Sequence, residues 1–212
     1  MTTFNPDCRL CPRLAAHLKD IRNQYPDYHA KPVAPFGASK PELLIVGLAP
    51  GLHGANASGR PFTGDYAGII LYETLHKFGF SNKPQSLHLN DGLRLKHCRI
   101  TNAVKCLPPG NKPLGNEITT CNTYLTTELD AMTKGTVILA LGRIAHGAVI
   151  KGLALKQKDH TFAHGKVHAL PGERSLINSY HCSRYNTQTR RLTPAMFHDI
   201  FHKIHEILDI SL

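Results

Sequence analysis

At 212 residues, with 42% hydrophobic and 19% charged residues, the chain can bury a full core without staples, and its composition excludes a disordered or low-complexity polypeptide. No apolar run approaches the ~20 residues of a membrane span. The opening MTTFNPDCRL holds no apolar signal stretch, so a reducing cytoplasm is expected, and the six cysteines read as ligands or free thiols rather than disulfides. The net charge of +10 points to a polyanionic partner, nucleic acid first, over charge carried for solubility alone.

In chain order, Leu10, Leu14, Leu18 and Ile21 recur at helical spacing and predict a short helix after the Cys8-x-x-Cys11 pair. Residues 25–41 hold four prolines and read as a loop. ELLIVGL (42–48) suits a buried parallel strand, and a long Gly-rich loop follows to Gly68. Ile69, Ile70, Tyr72, Leu75 and Phe78 suit a helix ending near Gly79. CRITNAV (98–104) is a second strand, and Ile118, Cys121, Leu125, Leu129 and Met132 mark a helix. TVILALG (136–142) is a third strand, with a helix from Arg143 to about Ile150. SLINSY (175–180) is a fourth. Thr193 then Pro194 supplies a cap and first turn for a last helix, whose stripe is Met196, Phe197, Ile200, Phe201, Ile204, Ile207 and Leu208. Apolar strands alternating with helices predict a parallel sheet covered on both faces, in one domain spanning residues 1–212. Ligands in such sheets bind beyond the carboxyl ends of the strands.

Four cysteines carry the first chemical signal. Cys8 and Cys11 open the chain, and Cys106 and Cys121 lie far downstream. Four thiolates meeting at one site suit zinc or an iron–sulfur cluster, and the spacing matches neither common ferredoxin pattern. Cys98 and Cys182 are left over.

Three post-strand segments carry the rest. GLAPGLHGANASGRPFTGD (47–65) holds five glycines in nineteen residues. These let a backbone approach a ligand closely, while the phosphate-loop pattern is absent. Its tail adds the flat ring of Phe62 and the carboxylate of Asp65. In ITNAVKCLPPGNKP (100–113), Asn102 ends a strand, and its amide offers one donor and one acceptor to a base edge. In SYHCSRYNTQTRRLTP (179–194), His181 can donate to a developing negative charge. Arg184, Tyr185, Asn186, Arg190 and Arg191 form a basic loop suited to phosphates. Each segment alone is matched by a structural explanation: a flexible turn, a capping Asn, a solvated basic loop.

Together these segments and the cysteine set resemble the uracil-DNA glycosylase superfamily, most closely its iron–sulfur branch, family 5 or type b. The likeness runs from Cys8 to near Pro194. It implies a three-layer α/β/α sandwich with a central, mostly parallel four-stranded sheet. It also implies a [4Fe–4S] cluster on Cys8, Cys11, Cys106 and Cys121, with zinc as the chemical alternative. By motif position, Phe62 would stack on a flipped base and Asn102 would read its edge. His181 would stabilise the leaving base, and Asp65 would orient water or support the sugar cation. Gly47, Leu48, Ala49 and Gly51 would line the pocket, and the 184–191 loop would hold DNA. Two departures stand out. Leu48 replaces the Glu, Gln or Asn of sister branches, which shifts the burden to Asp65, and Cys182 stands where many members have Pro. The expected activity is a monofunctional, hydrolytic excision of uracil, with other deaminated bases such as hypoxanthine, by a monomer acting on DNA. The alternatives are a non-catalytic thiolate-metal nucleic-acid-binding module, which leaves the Gly-Arg-Pro-Phe-Thr-Gly-Asp run unexplained, and an electron-transfer protein.

Overall fold

The four apolar runs become the inner strands of one sheet, because each can be covered on both faces. A computed structural model describes residues 4–210. Its strands are β1 (Phe36–Gly37), β2 (Leu43–Gly47), β3 (Cys98–Asn102), β4 (Val137–Leu141), β5 (Val167–Leu170) and β6 (Arg174–Ser179). They lie in the order β1-β3-β2-β4-β6-β5. The inner four are parallel, and β1 and β5 pair antiparallel at the edges.

The expected sheet of four strands is therefore extended to six. Phe36–Gly37 is too short to show a pattern and sits in the Pro-rich stretch read as a loop. Val167–Leu170 alternates between exposed and buried residues, as an edge strand does. By contrast, every residue of β2 and β4 is buried.

The helices are α1 (Pro12–Gln24), α2 (Ala55–Ser58), α3 (Tyr66–Lys77), α4 (Gly115–Asp130), α5 (Arg143–Gly152), α6 (Arg184–Gln188) and α7 (Pro194–Leu208). Successive strand side chains point to opposite faces. Leu43, Ile45, Leu139 and Ile177 accordingly pack with Leu71, Tyr72, Phe197 and Phe201 of α3 and α7. Leu44, Val46, Ile138 and Ala140 pack with Leu125, Leu129, Val149 and Ile150 of α4 and α5. Each fully buried aliphatic side chain contributes about 1.5–3 kcal/mol, so these two faces, rather than the loops, hold the fold. This is the three-layer sandwich.

Local signals fared unevenly. Thr193 Oγ1 accepts from the Met196 N–H at 3.2 Å, capping α7 as its sequence predicts. Leu10 lies before α1 and is 61% exposed, so that helix is built on Leu14, Leu18 and Ile21 alone. The Gly-rich loop is broken by α2 and ends earlier than expected, at the start of α3. The basic loop contains α6, capped by Ser183.

Candidate active site and thiol cavity

A cavity of about 440 Å³ opens at the carboxyl ends of the parallel strands. Leu48, Ala49, Gly51, Phe62 and Asp65 line it from the segment after β2, and Asn102 does so from the end of β3. His181 and Arg184 reach it from the segment after β6. The three motifs, distant in sequence, therefore meet in one place. Tyr66, Ala67, Asn111 and Ser183 complete the lining and were not singled out from the sequence.

Gly47 does not line the cavity but makes it possible. The β2–β3 ladder sets Gly47 opposite Asn102. It continues past both, with the Ala103 N–H on Gly47 O and the Val104 N–H on Leu48 O, each at 2.9 Å. A Cβ at Gly47 would overlap both Asn102 Oδ1 and the Phe62 ring. Phe62 itself takes φ +55°, rare for an aromatic residue. The buried Tyr72 hydroxyl holds that turn by donating to Pro61 O at 2.7 Å. The Phe62 ring lies 6.1 Å from that of His181 at an interplanar angle of 28°, so the two present roughly parallel faces.

Asp65 sits just before α3, with its carboxylate over the glycines of its own loop. A Cβ at Gly54 would overlap it. Oδ2 accepts from the Ala55 N–H at 3.1 Å. Burial raises its pKa above the ordinary carboxylate value, and that single backbone donor offsets the rise only in part. His181 is shifted by burial alone, down to about 4, so it is neutral at physiological pH and keeps one ring N–H to donate.

Asn102 is 3% exposed, and its Oδ1 has no hydrogen-bond partner among the described residues. A buried acceptor left unpaired costs on the order of 1–3 kcal/mol. Of the three buried side-chain atoms without a partner among the described residues, this one belongs to a residue that lines the cavity.

Of the expected DNA-contacting residues, Arg184, Tyr185, Arg190 and Arg191 are exposed. The Arg184 guanidinium lies 4.9 Å from the centroid of the Tyr66 ring, and that of Arg191 lies 4.7 Å from the centroid of Tyr180. Asn186 is turned inward. Its amide donates to His181 O at 2.8 Å and so fixes the segment that carries the histidine. The remaining cysteines, Cys98 and Cys182, are buried free thiols of the core. Burial pushes the Cys182 thiol up to about 12, which leaves it inert.

Cys8, Cys11, Cys106 and Cys121 come together around a second, smaller cavity, lined also by Leu14, Lys105 and Tyr124. Burial, then the neighbouring Cys121, Glu117 and Cys8, raise the Cys11 thiol to about 11. The Lys105 N–H donates to Cys121 Sγ at 3.2 Å. Arg13, two residues after Cys11, grips Glu117 with two hydrogen bonds of 2.8 Å, while Glu117 also accepts from the Leu114 N–H. That ion pair joins the start of α1 to the start of α4, the helix carrying Cys121. Behind it, the buried Lys105 ammonium pairs with Glu128 at 2.7 Å, and Arg99 and Thr101 bind the same carboxylate. Burial alone would raise Glu128, but Lys105, Thr101 and Arg99 outweigh it and hold the carboxyl below its ordinary value. Thr101 is the neighbour of Asn102, so this network also steadies the strand end at the first cavity.

The fold and the cavity define an α/β protein in which an aromatic ring, a buried amide, an acid and a neutral histidine meet at the carboxyl ends of parallel strands. The model of the uracil DNA glycosylase superfamily matches residues 34–205. The chain is 46% identical over 198 residues to a type-5 uracil-DNA glycosylase of Thermus thermophilus, covering 91% of this chain and 90% of the relative. It is 41% identical over 212 residues to one of Mycobacterium leprae, covering 96% and 92%. It is 39% identical over 191 residues to one of Pyrobaculum aerophilum, covering 88% and 83%. The chain belongs to the uracil DNA glycosylase superfamily and, within it, to the type-5 group.

Proposed function

We propose that this chain excises uracil from DNA by hydrolysing the N-glycosidic bond, leaving an abasic site for repair. The observation that carries this is Asn102, which lines the cavity beside the Phe62 ring and whose Oδ1 has no hydrogen-bond partner among the described residues. Uracil offers N3–H beside a carbonyl, and a carboxamide answers both. Deamination creates the same N–H beside C=O in hypoxanthine and xanthine. The reading therefore extends to other deaminated bases.

A base inside a duplex is out of reach, so the nucleotide must flip out at a cost of a few kcal/mol, less where the pair is mismatched. In the cavity, the base stacks on Phe62, with Leu48 and Ala49 as apolar walls. As the glycosidic bond breaks, the base gathers negative charge and the sugar becomes cation-like. The neutral His181 donates its N–H to the departing base. A neutral donor suffices, and one already placed needs no reorganisation at the moment of reaction. Asp65 orients the attacking water or supports the sugar cation. Its raised pKa makes it a better proton acceptor than a solvated carboxylate. No lysine lines the cavity among the described residues, and no amine is set to attack the sugar. The enzyme is thus monofunctional and does not cut the strand.

The four thiols fit a [4Fe–4S] cluster. They share one cavity, and one of them already accepts a backbone N–H, as a thiolate that holds a cluster would. When bound, the cluster supplies a structural cross-link between the N-terminal segment and residues 106–121. No helix among the described residues is long and apolar enough to cross a membrane. A single domain acting as a monomer in a reducing cytoplasm, with DNA as its one required partner, completes the reading.

The test is base release from a duplex oligonucleotide with one U·G pair. Cleavage of the strand only after alkali is the expected result. Cleavage without alkali would refute the monofunctional reading, and none from either uracil or hypoxanthine would refute excision.

A further inference from the structure

Arg60 lies in the same motif as Phe62 and Asp65, yet it does not line the base cavity. It is 2% exposed. Its guanidinium pairs with Asp91 at 2.6 Å and donates to His88 O, Leu89 O and Ser86 Oγ. Asp91 in turn accepts from the N–H groups of Leu87 and Leu93. Burial alone would raise Asp91, but Arg60 and these N–H groups outweigh it and hold the carboxyl well below its ordinary range. A second tie joins the same segments, for Thr63 Oγ1 and Ser86 Oγ lie 2.6 Å apart. A surface segment is thus fixed rigidly to the turn that carries Phe62.

What this anchored segment displays is apolar. Leu87 is 66% exposed and Leu89 58%, two residues apart on either side of the exposed His88. Isolated exposed leucines need no explanation. These two differ because a buried arginine organises the backbone that presents them. Leu87 also lines a groove with Ile69, Gly68 and Pro84, and this groove shares Asp65, Tyr66 and Arg184 with the base cavity. The Tyr66–Arg184 stack therefore stands between the base cavity and a groove whose apolar lining is interrupted by Glu73, Gln85 and Ser86.

We propose that residues 84–91 form a preformed apolar wedge that enters duplex DNA through Leu87 and Leu89, beside the flipped nucleotide. This rests on the base-excision reading. Its occupant is the stack of a double helix. The groove is continuous with the base cavity, and Arg184 at their shared rim, with a chain charge of +10, suits the flanking phosphates. Apolar side chains inserted at a base step support unstacking and fill the gap left by an extruded base. A rigid wedge incurs little ordering cost on binding.

The test compares uracil release from a U·G duplex and from the same strand without its complement, in single turnovers. A wedge matters only where a stack must be opened. The double variant Leu87→Ser, Leu89→Ser should lower the duplex-to-single-strand rate ratio at least tenfold. It should also abolish the brightening of a 2-aminopurine placed beside the uracil. Leu87→Phe should keep the ratio near that of the parent. Both positions are exposed, so the variants should melt with the parent. An unchanged ratio, or an equal loss on both substrates, would overturn the wedge while leaving base excision standing. A parent chain that releases uracil from neither substrate would sink the base-excision reading itself, and the wedge with it.

Discussion

The base cavity and the thiol cavity are joined by one short stretch of chain and built on opposite principles. Asn102 belongs to the first and Cys106 to the second. Around the base cavity, groups are left in costly states: an unpaired amide oxygen, a carboxylate raised by burial, a histidine held neutral, an aromatic at positive φ. Around the thiol cavity nearly every charge is matched, through Arg13–Glu117 and Lys105–Glu128. The difference separates a region of unpaired and shifted groups, the pattern of a functional site, from a region whose charges are paired.

Substitutions should therefore divide the two regions, and the largest effect belongs to the base cavity. Asp65→Asn and His181→Ala should each lower excision by about 10²–10³-fold, the usual scale for a lost preorganised group. Melting of Asp65→Asn should hold or rise, since burial penalises the charge it removes. The parent rate should fall on the acid side as Asp65 protonates, above the pH of an ordinary aspartate, and Asp65→Asn should lack that limb. His181 contributes a separate effect on stability. Its folded pKa lies below its unfolded one, so the unfolded chain takes up the proton first. Stability should then drop as pH falls between 6.5 and about 4, and His181→Ala should blunt that drop. If either variant melted far below the parent, the contrast between the regions would collapse.

Cys106→Ser should do the reverse. Iron content should fall, and the melting temperature should drop by roughly 10 °C or more, given about 2–4 °C per kcal/mol for a chain of this size. Activity should be lost only in step with folded protein. Full stability with selective loss of excision would give the cluster a part in catalysis and blur the division.

Asn102→Ala tests the segment between the two. It should slow uracil release by about 10- to 100-fold through the lost hydrogen bonds and change the ratio of uracil to hypoxanthine excision. An unchanged ratio would remove Asn102 from base reading. The smallest effect belongs to the periphery. Arg190→Ala should weaken duplex binding a few-fold and reduce the salt slope by about one counterion. A change in base preference instead would place Arg190 in the site.

The sequence alone determined what local pattern and residue chemistry can encode. The four inner strands were visible because burial on both faces demands unbroken apolar runs. The start of α7 was visible because Thr193 and Pro194 act within one turn. The chemistry-bearing types, Asp65, Asn102, His181 and the four cysteines, were visible as motifs. Tertiary structure alone decided what depends on partners far along the chain. It made edge strands of Phe36–Gly37 and Val167–Leu170 by pairing them with β3 and β6. It set the Asn186 amide on His181 O, and brought Asn111, Tyr66 and Ser183 into the cavity lining. It joined Arg13 to Glu117 and Arg60 to Asp91 across long separations. No local spacing records such pairs, because a side chain's hydrogen-bond partner is fixed by where the sheet brings distant segments together.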